Sequence, residues 1–167
     1  QNNHWLALFD VDRSCILDPL TQPLPFTPFK DFTERSINEI NLYSTEMSSA
    51  LCSIDRVSAS ADMNNRLSEA IVEAYKSTNG APISFELMLK CYQSRMKDAN
   101  NDDSISSVLK QLVNAHIFES EDKVSLIDDS YIIKMDGYPK DGPIAKAIVY
   151  FLMSKLNNIY ELWINKQ

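Results

Sequence analysis

Only three glycines, Gly80, Gly137 and Gly142, punctuate 167 residues, and each lies where its neighbours point to a turn. Tight hairpins lean on residues that tolerate positive φ, glycine above all. Phosphate-binding loops need several glycines in close register. A large sheet of short hairpins and a nucleotide-cradling loop are therefore both disfavoured. The chain is expected to be mainly helical.

Apolar periodicity divides the rest. Residues 5–9 (WLALF) and 15–17 (CIL) are two short apolar runs around a polar stretch, which predicts a small N-terminal hairpin. Residues 18–28 hold four of the seven prolines, so they read as an extended connector, with Leu20, Leu24 and Phe26 packing inward. Thr27 and Pro28 suit the cap and first position of a helix. Phe29, Phe32, Ile37, Ile40, Met47, Leu51 and Ile54 then predict one long helix, or two joined ones, with one five-residue gap from Phe32 to Ile37. Residues 58–62 (SASAD) are expected to break it.

The second half is more regular. Leu67, Ile71, Val72 and Tyr75 form a helical stripe ending at Asn79-Gly80, a C-cap signal. Residues 81–83 form a short extended piece. Ser84 caps a second helix with Phe85, Met88, Leu89 and Tyr92 inward. Asp103 or Ser104 caps a third, with Ile105, Val108, Leu109, Leu112 and Val113 inward. Two β-rich runs, 124–127 and 131–133, then flank a short polar turn and predict a strand pair. Helix, short strand, helix, helix, hairpin is an order that resembles winged-helix domains, including those at the C-termini of origin-recognition replication proteins. The resemblance covers residues 67–135 and rests on that order and on the pattern Ser106-Ser107-Val108-Leu109-Lys110-Gln111-Leu112-Val113. It implies a fold and only weakly a function.

Asp141-Gly142-Pro143 signals the start of a last helix. Ile144, Ala147, Ile148, Phe151, Leu152, Leu156, Ile159 and Trp163 mark one face. Val149 and Met153 widen it, and Tyr150, Tyr160 and Leu162 add further apolar surface. That exceeds what a helix needs to cover one small core. A role in core packing and a role in binding a protein partner or a second copy are both open for Ile148, Phe151, Leu152, Leu156, Ile159 and Trp163.

In a DNA-binding winged helix the third helix reads bases. Here its outward positions would be Ser106, Ser107, Lys110, Gln111 and Asn114, with Lys123 and Lys134 of the wing among the candidate phosphate contacts. The net charge of −7 opposes this, because affinity for phosphate backbones comes largely from Lys and Arg. Residues 104–167 carry seven Lys against eight acidic residues, and the remainder nine basic against fifteen acidic, so the C-terminal part is the less unfavourable place for nucleic acid. DNA binding through residues 104–115 and the wing stays the alternative.

One catalytic resemblance remains. His4-Trp5, an apolar run and Ile16-Leu17-Asp18 resemble the His-Trp…Asp segment of SUMO-protease-like cysteine proteases, which implies Cys52 as nucleophile. The context Ala50-Leu51-Cys52-Ser53 lacks the Gln and Gly that such proteases place around the cysteine, and Cys52 falls on an apolar helical stripe. A degenerate remnant of such a protease is the third alternative, and no enzymatic activity is expected. Cys15, Cys52 and Cys91 show no metal-ligand spacing, so neither cofactor nor metal is expected, and an odd count at long gaps suits a reducing compartment, the nucleus before the cytoplasm. No apolar run approaches a membrane span. Since residue 1 is Gln, the chain is expected to be a piece of a longer protein.

The expectation is thus a mainly α (α+β) chain in three parts. Residues 1–58 hold the hairpin, connector and helical segment, residues 62–137 the winged-helix unit, and residues 141–167 the long amphipathic helix. Its expected role is non-enzymatic: a protein-interaction subunit or scaffold of a larger assembly.

Overall fold

The computed structural model describes residues 16–54, 59–126, 128 and 130–165. The expected hairpin strand at residues 5–9, and His4 with it, lie outside these. The first helix, α1 (Ile37–Cys52), starts nine residues later than Thr27 and Pro28 suggest. Local side chains explain the delay. Thr27 Oγ1 accepts the Phe29 N–H at 3.2 Å, and the Asp31 carboxylate takes the Thr33 N–H and hydroxyl at 2.8 and 2.6 Å. These contacts satisfy the backbone in turns instead of a helix. Glu34 then adopts a left-handed φ of 61°, and Ser36 opens α1 with a capping box: its hydroxyl accepts the Glu39 N–H while Glu39 takes the Ser36 N–H. The five-residue gap from Phe32 to Ile37 marks this turn.

Helices α2 (Ala61–Ser77), α3 (Phe85–Ser94) and α4 (Ser104–Ala115) begin at Ser60, Ser84 and Asp103, whose side chains accept the N–H three residues on. α2 ends with Asn79 and Gly80 at φ 54° and 89°. Gly80 has a second task. Its carbonyl accepts the Phe32 N–H at 2.7 Å, and a Cβ there would meet the Phe32 carbonyl oxygen at 2.6 Å. Only glycine lets the turn before α1 press on the end of α2.

The expected wing has a different partner. β2 (Ile132–Ile133) pairs in parallel with β1 (Ile16–Leu17), Ile16 opposite Ile132 and Leu17 opposite Ile133, and no described residue of 124–127 is in a strand. Residues 16–17 take up the hydrogen bonds that 131–133 would give a hairpin, and the connector holds the loop before them. Leu24 donates to the Ile117 carbonyl and accepts from the Glu119 N–H, Pro25 accepts from the Lys123 N–H, and Leu17 accepts from the Lys134 N–H. Proline cannot donate, but its carbonyl still accepts. Residues 81–83, the expected short strand, are extended and unpaired, and lead directly into the Ser84 cap. In the connector Leu24 and Phe26 are fully buried, whereas Leu20 stays exposed and covers the Cα of Gly137.

One core takes side chains from all three parts of the chain: Phe29 and Phe32 of the turn, Met47 and Leu51 of α1, Tyr75 of α2, Met88 and Tyr92 of α3, Leu109 of α4, and Phe151 of α5 (Pro143–Asn165). A smaller cluster of Leu24, Phe26, Ile117 and Ile148 sits beside it. α5 joins the two, giving Ile148 to one and Phe151 to the other. The mainly helical class and the long C-terminal helix are as expected. Phe29, Phe85 and Phe151 meet edge to face with centroids 4.9, 5.0 and 5.5 Å apart, a geometry that adds to simple burial. Truncating Phe151 to Ala should therefore lower unfolding stability by about 3–5 kcal/mol, and Gly80→Ala by about 1–3 kcal/mol through strain and overlap. Urea unfolding followed by circular dichroism measures both, and an unchanged midpoint for either would contradict this packing.

Candidate interaction surface

α5 has two different halves. Ala145, Ala147, Ile148, Phe151 and Lys155 are buried, and after Lys155 no described residue of the helix is. The last buried position belongs to a cation. Lys155 is 8% exposed, and its Nζ donates to both oxygens of Asp122 at 2.8 and 2.9 Å, over the Phe26 ring. Asp122 also accepts the Thr27 N–H at 3.0 Å. One carboxylate thus ties the connector, the loop after α4 and the middle of α5, and satisfies a charge that burial alone would penalise.

Away from its core side, α5 carries large apolar side chains that are exposed. Val149, Met153, Leu156, Tyr160 and Trp163 keep 47–59% of their surface, and Leu162 and Ile164 are about as exposed. The rings of Tyr160 and Trp163 stack at 6.2 Å, so the exposed end is partly organised by its own side chains. The six residues singled out from the sequence separate accordingly. Ile148 and Phe151 are core, and substituting them tests folding instead of binding. Leu152 and Ile159 are half-buried at the flanks, and Leu156 and Trp163 are exposed. Val149, Met153 and Tyr160, treated above as extra width, belong with the exposed pair.

A groove of about 750 Å³ runs along the other side of this half, between residues 27–35, the 120–122 loop and Ile159 and Leu162. Its charges are largely satisfied within the chain: Lys155 by Asp122, Lys30 by Glu161 at 3.1 Å, and Arg35 by Glu39 at 3.1 Å. Among the described residues no cluster of His, Cys, Asp or Glu is arranged to hold a metal ion, and no helix is long and apolar enough to cross a membrane.

The face of α4 expected to read DNA is nearly neutral. Lys110 Nζ lies 2.7 Å from the Asp102 carboxylate, whose pKa this contact lowers. Gln111 and Asn114 are exposed. Ser106, expected to point outward, is fully buried, because its hydroxyl accepts the Asp103 N–H to complete a capping box. Lys123 pairs with Glu119 at 3.3 Å, and Lys134 is half-buried beside β1. Cys52 is half-buried in the last turn of α1. Burial pushes its thiol pKa up, against a hydrogen bond with Ser48, and the nearby Asp103 charge adds to the rise. That is the reverse of what activates a nucleophilic cysteine. Asp18, the acid of the protease-like segment, caps its own turn through the Leu20 N–H.

Comparison with protein-family models, with curated proteins and with solved structures yields no match.

The Asp122 tie makes an asymmetric expectation. Asp122→Ala strands a buried ammonium and the Thr27 N–H, and should cost about 2–4 kcal/mol. Lys155→Met replaces the cation with an apolar chain of similar length and should cost within about 1 kcal/mol. Equal losses in urea titrations of the two variants would show that the pair is not what anchors α5.

Proposed function

We propose that this chain is a non-enzymatic protein-interaction module, a subunit or scaffold domain of a larger intracellular assembly in which the nucleus is favoured, and that it binds through the second half of α5. The carrying observation is the group of exposed apolar side chains Leu156, Tyr160, Trp163 and Ile164, with the rings of Tyr160 and Trp163 stacked, on a helix whose first half is anchored in the core. Contiguous apolar surface of this kind characterises interaction sites on folded proteins, and Trp and Tyr dominate binding energy at such sites. A rigid helix presents them at low entropic cost. The winged-helix resemblance of α2 to α4 is compatible with this role, since many folds of one architecture serve unrelated functions.

DNA binding is less well supported. The single cation on the outward face of α4 is neutralised by Asp102, and the net charge is −7. The protease alternative has as its nucleophile a thiol with a raised pKa.

Photo-crosslinking tests the interaction role. With benzoylphenylalanine at position 160, discrete protein adducts should form in a native nuclear or cytosolic extract, and Trp163→Glu should reduce them about tenfold. The same probe at position 111 on α4 should give none. No adduct at position 160, to this chain or to any other, removes the proposal. Salt-sensitive duplex binding abolished by Lys110→Glu would favour the DNA alternative instead.

A further inference from the structure

The exposed residues of α5 are not scattered. Val149, Met153, Leu156, Tyr160 and Trp163 follow one another at intervals of four, three, four and three. This is the 3.5-residue period that lets one helix seat its side chains between those of another. At about 100° per residue, the stripe lies on the far side of the helix from the core line of Ile144, Ile148, Phe151 and Lys155. Core packing therefore does not explain it. α5 carries two apolar faces, and among the described residues only one is packed against the rest of the chain.

We infer that the occupant of the second face is a second copy of this chain, joined by pairing of the two α5 helices. This rests on the interaction role proposed above and specifies its partner. Three observations favour self-pairing. The seam line from Val149 onward carries no charge, and the two charged residues of that half-helix, Lys155 and Glu161, are paired to Asp122 and Lys30 of their own chain. No charge on the stripe thus selects a partner of opposite sign, and none on it repels an identical helix. The stripe is also self-complementary in size. Antiparallel pairing about a two-fold axis near Leu156 sets the small end at Val149 against the large end at Trp163. Finally, the area is sufficient. The five seam residues, Ile164, and Leu42, which lines the groove shared with Met153, are each about half exposed. At roughly 100 Å² apiece they offer on the order of 700 Å², near the ~800 Å² per partner of a standard interface.

Sedimentation equilibrium of the purified 167-residue chain tests this, with Leu156→Glu and Leu162→Glu as matched variants. Leu162 is 51% exposed and Leu156 52%, but Leu162 lies on the core side of the helix and off the seam. Both are surface changes, and circular dichroism checks that each variant folds. The expected result is a dimer whose dissociation constant rises about 100-fold with Leu156→Glu, one loss per copy, and stays within about threefold with Leu162→Glu. Added salt should not weaken it, since the seam residues carry no charge to screen. A monomer at all concentrations up to about 100 μM, or equal weakening by both variants, overturns the inference. If the purified chain is monomeric while position 160 still crosslinks to another protein in extract, the second copy is wrong and the interaction role stands. If neither occurs, both fall.

Discussion

Phe151 sits where three separate stretches of chain meet. Its ring touches Phe29 of the turn before α1, Phe85 at the start of α3 and Phe118 after α4, each at an angle that sets ring edges against ring faces. Without that side chain α5 would keep Ile148, the partly buried Ile144, Tyr150 and Leu152, and the Lys155–Asp122 pair, but would lose its largest buried side chain. The connector packs on the same helix through the adjoining cluster of Leu24, Phe26 and Ile148. The helical stack of α1 to α4 has its own core of Met47, Leu67, Ile71, Tyr75, Met88 and Leu109. What α5 adds is closure, and closure depends on one aromatic residue.

Polar chemistry sets where this closure stops. Lys155 occupies the next position on the core line after Phe151, and Asp122 holds it there. An apolar residue at 155 would let the core side of α5 continue without a boundary. A buried cation with a carboxylate from a distant loop instead fixes the register of the helix against the connector, since a slip would leave the Lys155 ammonium buried without its partner. A similar arrangement occurs among the helices. Asp103 caps α4, accepts the Tyr92 hydroxyl at 2.5 Å and receives Arg66 at 3.3 Å, so α2, α3 and α4 share one carboxylate.

Helices α2 to α4 are legible because independent signals agree there: apolar spacing in all three, a capping side chain at the starts of α3 and α4, and Asn79-Gly80 at the end of α2. α5 was legible for its start and extent. The division of its surface is only half legible. The sequence stripe groups exposed Leu156 and Trp163 with buried Ile148 and Phe151, because one helix bearing two apolar faces shows a single broad stripe in sequence. The 4-3-4-3 spacing that separates the faces was present all along, overlaid by the core stripe. The turn at residues 28–36 is hidden from the sequence because Thr27-Pro28 is a valid helix start in isolation, while the capping box at Ser36 and Glu39 competes with it and wins. The strand pairing was beyond local pattern. Nothing near Ile132 specifies a partner more than a hundred residues away, and the Pro-rich segment looks unfit for pairing until its carbonyls are counted as acceptors.

The parallel pairing of Ile16–Leu17 with Ile132–Ile133 gives the molecule an uneven contact order. α1 to α4 pack on sequence neighbours, and such local contacts form early because they close short loops. The connector is different. Its partners at residues 117–123 and 132–134 and on α5 come late in the chain, so during synthesis the segment around Leu24 and Phe26 must wait, with two large side chains uncovered, until the C-terminal elements emerge. Loop-closure entropy places the docking of these long-range contacts and α5 after the helical stack. They are also the part of the molecule whose opening would expose the second cluster while leaving the helical stack folded.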